Sequence, residues 1–234
     1  MKVRQATIQD LDSLVRLEAE TWPEGMRATR DMIRSRIETY PKGVYVIESD
    51  GEIFGVVAYQ LVNYNPQEHN ITWNRATDNG MIKRTHNPDG DSAFGVNLSV
   101  VPHAPAGAAT KLLVEVGRKI VGSNLRRVVL GSRIPYYHKH SETMKPVEYV
   151  FKKIRGRVPM DPELRFYSRF GFMIEKIVEG YIQDKQSMNF AVIVVWDNPL
   201  YARWRFVFTL LSKTGVIDFL YESHVRSLLG KETD

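Results

Sequence analysis

The chain has 234 residues, 43% of them hydrophobic and 25% charged, with no cysteine and a formal net charge of +5. That length and apolar content allow one large domain with a full core, and the missing cysteine excludes disulfides, thiolate zinc sites and a cysteine nucleophile. The mild positive charge suits an anionic ligand such as a polyphosphate; nucleic acid asks for a denser basic stripe, so no nucleic-acid partner is expected.

The start, Met1 to Thr7, lacks the apolar run of a signal peptide. The most apolar tract, Trp204 to Leu211, is too short for a bilayer and is crowded by Arg203, Arg205 and Lys213. A cytoplasmic protein without a transmembrane segment is expected. Val3 to Ala6 reads as a strand, and Thr7 with Asp10 begins a helix in a capping-box arrangement. Ile8, Leu11, Val15 and Trp22 recur at helical spacing on one face, which Glu18 shares. A second helix runs from about Arg27 to Tyr40 and ends at Pro41-Lys42-Gly43.

Val44 to Glu48 and Ile53 to Val62 form a hairpin across Ser49-Asp50-Gly51-Glu52. Asn63 to Asp91 is polar and turn-rich, with one short strand expected around Ile71 to Asn74; its loop character makes it a candidate substrate-facing segment. Ala93 to Val101 is a strand, Pro102 to Ala106 a tight loop, and a long helix follows with Ala109, Leu112, Leu113, Val116 and Ile120 on one face. Then come a strand over Arg127 to Ser132, a helix from about Pro146 to Arg155 and a helix over Pro162 to Phe170 that stops at Gly171. Strands at Met173 to Tyr181 and Asn189 to Trp196 close the unit. Pro199 to the end reads as two amphipathic helices broken at Gly215. The order predicts a mixed α/β sheet with helices on its faces, divided as a domain over 1–197 and a helical C-terminal extension over 198–234.

The tract from Asn97 to Leu113 carries the chemistry. A strand ends, small residues turn, and a helix begins. The first turn of a helix offers backbone N–H groups without intrahelical partners at the positive end of its dipole, so a small-residue loop there is a ready pyrophosphate site. An ordinary β–α turn has the same appearance. A second segment, Leu164 to Phe172, puts Tyr167 on a helix that ends at a glycine before a strand.

These two segments together resemble the GNAT N-acetyltransferase superfamily. Val100-Val101-Pro102, Gly107-x-Ala109 and Leu112-Leu113 match its cofactor loop, Tyr167 to Phe172 its later Tyr-x-x-x-Gly-Phe signature, and the element order agrees from Val3 to about Trp196. Gly131 to His140, followed by Tyr149-Val150, is similar to the GNAT domain found fused to carbon-nitrogen hydrolases. The resemblance implies a GNAT fold, a mostly antiparallel twisted central sheet with helices on both faces, and transfer of an acetyl group from acetyl-CoA directly to a primary amine, without a metal. The family's Gln or Arg falls on Ala104 here, and Pro105 has no N–H to give, so the loop is expected to hold the pyrophosphate less completely.

By the same resemblance, Leu98, Ser99, Val100 and Val101 lie beside the pantetheine arm, and a backbone N–H near Leu98 or Val100 polarises the thioester carbonyl. The amides of Ala106, Gly107, Ala108, Ala109, Thr110 and Lys111 take the diphosphate. Tyr167 protonates the departing thiolate as general acid; the plainer alternative is a core aromatic. The base is open between Glu18, whose apolar helix face would raise its pKa, and His138, which titrates near neutrality. Trp22, Asn97, Arg133, Tyr136 and Tyr137 are assigned to the acceptor, with Trp73 and Tyr181 as further aromatic candidates. The competing function is an acyl-CoA-binding or regulatory module without turnover. A homodimer through the apolar tail and a separate carbon-nitrogen hydrolase chain stand as partners to test.

Overall fold

The computed structural model describes residues 1–69, 71–203 and 205–230. They divide into two compact units, Met1–Asn65 with Asn74–Leu125, and Pro66–Trp73 with Arg126–Asp234.

The first unit is built on four antiparallel strands, β1 (Lys2–Gln5), β2 (Val44–Ser49), β3 (Glu52–Val62) and β4 (Ser92–Val100), paired in that order. The β2–β3 turn has Asp50 and Gly51 at φ 52° and 83°, the primed geometry whose twist matches the flanking strands. In β4 the pairing runs Ala58↔Asn97 and then Tyr59↔Gly95, so Val96 is an extra residue. Such a bulge bends the strand, here immediately before Asn97.

Thr7 and Asp10 close a single 3-10 turn, in which the Asp10 carboxylate accepts the Thr7 N–H at 2.7 Å. Helix α1 (Leu11–Thr21) follows. Its buried side is Leu11, Leu14, Leu17 and Glu18; Ile8, expected inside, is 45% exposed. The initial 3-10 turn holds three residues per turn instead of 3.6, so the phase read from Ile8 does not carry into the helix. Helix α2 (Arg30–Thr39) starts at Thr29, whose hydroxyl accepts the Met32 N–H at 3.2 Å. The expected strand at Ile71 to Asn74 is instead followed into a short helix, α3 (Trp73–Thr77), closed by Asn79 N–H to Asn74 O at 2.7 Å. Asn74-Arg75-Ala76 lacks strand alternation, and Asp78, Asn79 and Gly80, all at positive φ, end the turn. Helix α4 (Ala108–Gly122) buries Ala108, Leu112, Val116, Ile120 and Val121 and packs along β1, β2 and β3.

The second unit holds β5 (Arg127–Arg133), β8 (Met173–Val178) and β9 (Ala191–Asp197), with β9 antiparallel between the other two. Helix α5 (Pro146–Phe151) is shorter than expected. Arg155 and Gly156, at φ 52° and 69°, turn the chain into a two-stranded hairpin of β6 (Lys153–Ile154) and β7 (Val158–Pro159). Helix α6 (Pro162–Ser168) begins with Asp161, whose carboxylate accepts the N–H groups of Glu163 and Leu164. It ends before Gly171 at φ 82°, a left-handed stop that glycine adopts freely. A core of Ile134, Tyr137, Tyr149, Val150, Leu164, Val192 and Val194 fills this unit. A Cβ at Gly131 would fall 2.3 Å from the Tyr181 ring, so this glycine makes room for the phenol end of the buried tyrosine against β5. The tail folds as α7 (Arg205–Ser212) and α8 (Val216–Leu229), broken at Gly215; Trp204 lies outside the described residues. No helix among the described residues is long and apolar enough to cross a membrane.

Candidate active site

Four of the residues singled out in the sequence meet in the first unit. Glu18 of α1 is 2% exposed. One carboxylate oxygen accepts the Ala28 N–H at 2.9 Å; the other accepts Asn97 Nδ2 at 2.7 Å and Ser99 Oγ at 2.8 Å. The indole N–H of Trp22 donates to Ser99 Oγ at 2.6 Å. Alternation along β4 turns Asn97 and Ser99 toward α1, while Leu98 and Val100 stay half-buried. Arg36, 4% exposed, donates through Nε to Gly80 O at 2.7 Å, and burial lowers its pKa to about 10 against the opposing pull of Glu18. The sequence reading missed Arg36; its signal was a position one turn after Ile33 on the apolar side of α2.

The loop after β4 shows which amides are open. Val101 N–H donates to Phe54 O, Ala104 N–H to Val101 O, Ala108 N–H to Pro105 O and Lys111 N–H to Gly107 O. Ala108 and Lys111 therefore drop out of the expected diphosphate donors. Among the described residues, the N–H groups of Ala106, Gly107, Ala109 and Thr110 have no acceptor. Gly107 holds φ 82° directly before Ala108, and nothing stands within 4 Å of where its Cβ would be. The mouth of α4 is thus uncrowded, positive by its dipole and rich in free donors.

The second unit carries the remaining candidates. Tyr167 on α6 is half-buried, its ring 5.5 Å from Phe166 and 5.6 Å from Phe172. Burial, and next the Glu163 carboxylate, push its hydroxyl above the ordinary tyrosine range. His138 is exposed. Its Nδ1 lies 2.8 Å from Pro135 O and 3.1 Å from Gln186 O, so Nδ1 is the ring nitrogen that donates to the protein. Arg133 gives Nε to Asp184 at 2.8 Å and a terminal nitrogen to Gln186 at 3.1 Å, so much of its charge is already answered. Tyr136 is 47% exposed, with Lys139 Nζ 4.6 Å from its ring centre. Tyr137, expected at the acceptor, is a core residue instead: it is 4% exposed and its hydroxyl donates to Met144 O at 3.0 Å. Tyr181 is 3% exposed and Trp73 donates its backbone N–H to Tyr181 O at 2.9 Å. Glu163 and Asp184 went unnoticed in the sequence; Glu163 had a visible cue in standing four residues before Tyr167.

No family model matches the sequence. Over 208 residues the chain is 32% identical to "Uncharacterized N-acetyltransferase YkwB" of Bacillus subtilis (strain 168), covering 87% of this chain and 91% of that protein. It is 31% identical over 203 residues to "Probable hydrolase YhcX" of the same organism, matching 86% of this chain but 39% of that protein's length. Of solved structures, the loading GNATL domain of CurA from Lyngbya majuscula superposes with a TM-score of 0.75 at 25% identity, over 84% of this chain and 96% of that one. The GphF GNAT-like decarboxylase in complex with isobutyryl-CoA gives 0.69 at 27% identity, over 84% and 99%. Identity at this level over nearly the whole of YkwB, with mixed α/β architecture, antiparallel strand pairing and the Gly107 loop in place, settles the membership: the chain belongs to the GNAT N-acetyltransferase superfamily.

Proposed function

We propose that this chain is an acyl-CoA-dependent N-acyltransferase that moves an acetyl group from acetyl-CoA to a primary amine. The observation that carries the reading is the set of four amides at Ala106, Gly107, Ala109 and Thr110 without acceptors, next to a left-handed glycine at the mouth of α4. Four donors without acceptors at a helix N-terminus suit a diphosphate. The acyl-CoA complex of GphF, a neighbour at 27% identity, supports a CoA thioester as the donor.

In this reading the amine attacks the thioester carbonyl directly. The C–S bond breaks as the N–C bond forms, and the Tyr167 hydroxyl passes its proton to the departing sulfur. A β4 amide at Leu98 or Val100 steadies the developing oxyanion. His138 takes the proton that the amine gives up. Glu18 acts by position: three protein donors occupy its carboxylate, which fixes Asn97 and Ser99 on β4.

CoA release with a panel of primary amines tests this. Wild type should release CoA only when both substrates are present, and Tyr167→Phe should lose about a hundredfold in kcat, the size of a general-acid contribution. Tight acetyl-CoA binding without turnover on any amine would leave a binding module. A second reading has a specific support: GphF, which is named a GNAT-like decarboxylase, superposes at 0.69 with 27% identity. It is decarboxylation of a carboxyacyl-CoA. Carbon dioxide release from malonyl-CoA with no amine present distinguishes it.

A further inference from the structure

Helix α6 carries two ionisable side chains one turn apart, Glu163 and Tyr167, and a separation of four residues puts them on one face. The Glu163 carboxyl lies 3.8 Å from the Arg133 guanidinium. The guanidinium is already engaged by Asp184 and Gln186. On the other side, Asp161 is 0% exposed and takes the Tyr149 hydroxyl at 2.9 Å. Arg165, also on α6, turns its nitrogens to Pro159 O and Met160 O. Glu163 and Asp184 therefore share the Arg133 guanidinium, and the charges of Asp161 and Asp184 both reach Glu163.

Such a cluster cannot ionise fully at low cost. Burial opposes the charge on Asp184, but hydrogen bonds from Arg133 and Ser187 still hold it below the usual range. Burial pushes Asp161 up. Glu163 has only part of Arg133 and two negative neighbours; burial first, then Asp161 and Asp184, raise it to about 7. Its charge is felt in turn at the Tyr167 hydroxyl.

We propose that Glu163 sets the proton-donating strength of Tyr167: as a neutral carboxyl it lets the phenol give up its proton, and as a carboxylate it opposes the phenolate that results. This rests on the acyltransferase reading. When the C–S bond breaks, the Tyr167 O–H proton goes to sulfur, and negative charge appears on the phenol oxygen one helical turn from Glu163. The amine's proton goes to His138, and the phenol regains a proton from solvent as His138 releases its own. With Glu163 ionised, two negative groups would sit on the same helix face at the step where the phenol must ionise. Glu163 is thus a residue that acts through Tyr167 and needs no contact with either substrate.

The test is kcat at saturating acetyl-CoA and amine from pH 6 to 8.5, for wild type, Glu163→Gln and Glu163→Asp. The ratio of Glu163→Gln to wild type should climb roughly three- to tenfold across that range, since one unit of tyrosine pKa is worth up to tenfold in acid strength. Glu163→Asp should keep the wild-type profile. A ratio that stays flat, with wild type active, overturns this inference alone; no CoA release by wild type sinks the acyltransferase reading and this inference with it. Thermal melts at each pH separate folding from catalysis. If Glu163→Gln does not fold, a wild-type kcat that shows no fall above pH 7 at saturating deprotonated amine overturns the proposal.

Discussion

Glu18 is a carboxyl group placed where water hardly reaches, and what makes that tolerable is the number of donors around it. Ala28, Asn97 and Ser99 each contribute a hydrogen bond shorter than 3.0 Å, and the buried Arg36 supplies opposite charge. Glu18→Ala strands all three donors and an unanswered guanidinium. It should cost about 3–5 kcal/mol, as for other broken buried charge groups. Glu18→Gln keeps the shape and one acceptor but turns an N–H₂ toward existing donors, and should cost about 1–3 kcal/mol. Urea unfolding with an unchanged m-value measures both. The two roles weighed for Glu18 separate on the kinetic side. A positioning carboxylate predicts lower kcat in Glu18→Gln with the slope of the pH profile unchanged; loss of an acid-side limb in that variant would make it the base.

At the level of elements, the β4–α4 junction is the place where backbone conformation does the chemistry. Gly107 at φ 82° lets the chain enter α4 without its own side chain shielding the amides, and a Cβ there meets nothing within 4 Å. Gly107→Ala is therefore a change of strain without a clash, and should destabilise by about 1 kcal/mol. Its effect on acetyl-CoA should be larger in proportion, because the strain is relieved by rotating the peptide units on either side of Gly107, whose free amides the diphosphate would use. Calorimetric titration should show affinity reduced at least tenfold while far-ultraviolet circular dichroism stays the same. Unchanged affinity would mean that the diphosphate sits elsewhere.

The elements that sequence reading recovered are those with a local cause. Thr7 with Asp10, Asp50-Gly51, Gly171 and Gly215 act within four residues of themselves, and each ended or began an element where expected. The misses have non-local causes. Which side of α1 is buried depends on a 3-10 turn that shifts its phase, and the end of α5 depends on the β6–β7 hairpin beyond it. The candidate site divides in the same way. The Gly107 loop and Tyr167 were legible as spacing, whereas the partners of Arg133 lie 51 and 53 residues away at Asp184 and Gln186, beyond any periodicity. Tyr137 was misplaced for a related reason: the aromatic pair Tyr136-Tyr137 straddles the boundary of the core, and sequence does not say which ring goes in.

At the scale of the whole chain, the C-terminal helices bury large apolar side chains of their own and touch the end of β9 and the Gly171 turn. Phe208, Ile217 and Tyr221 are each less than 9% exposed. The Leu228 side chain lies against Gly171, and the His224 ring stands 6.4 Å from Trp196 at the end of β9. Burial of three large side chains is worth about 1.5–3 kcal/mol apiece, a substantial part of the 5–15 kcal/mol typical of a domain. At the same time Phe219 is 71% exposed and Leu220 41%, so α8 has an apolar side that the chain does not cover. These two facts set opposite expectations for a chain ending at Asn198. If the helices serve mainly as cover, the shortened chain should melt well below the full one and aggregate, and its Trp196 emission should shift to the red as the indole meets water. If their exposed side serves mainly for association, the shortened chain should keep its melting temperature and emission and change only in sedimentation. The depth at which Ile217 and Tyr221 are held favours the first outcome, and equal melting temperatures for the two chains would reject it.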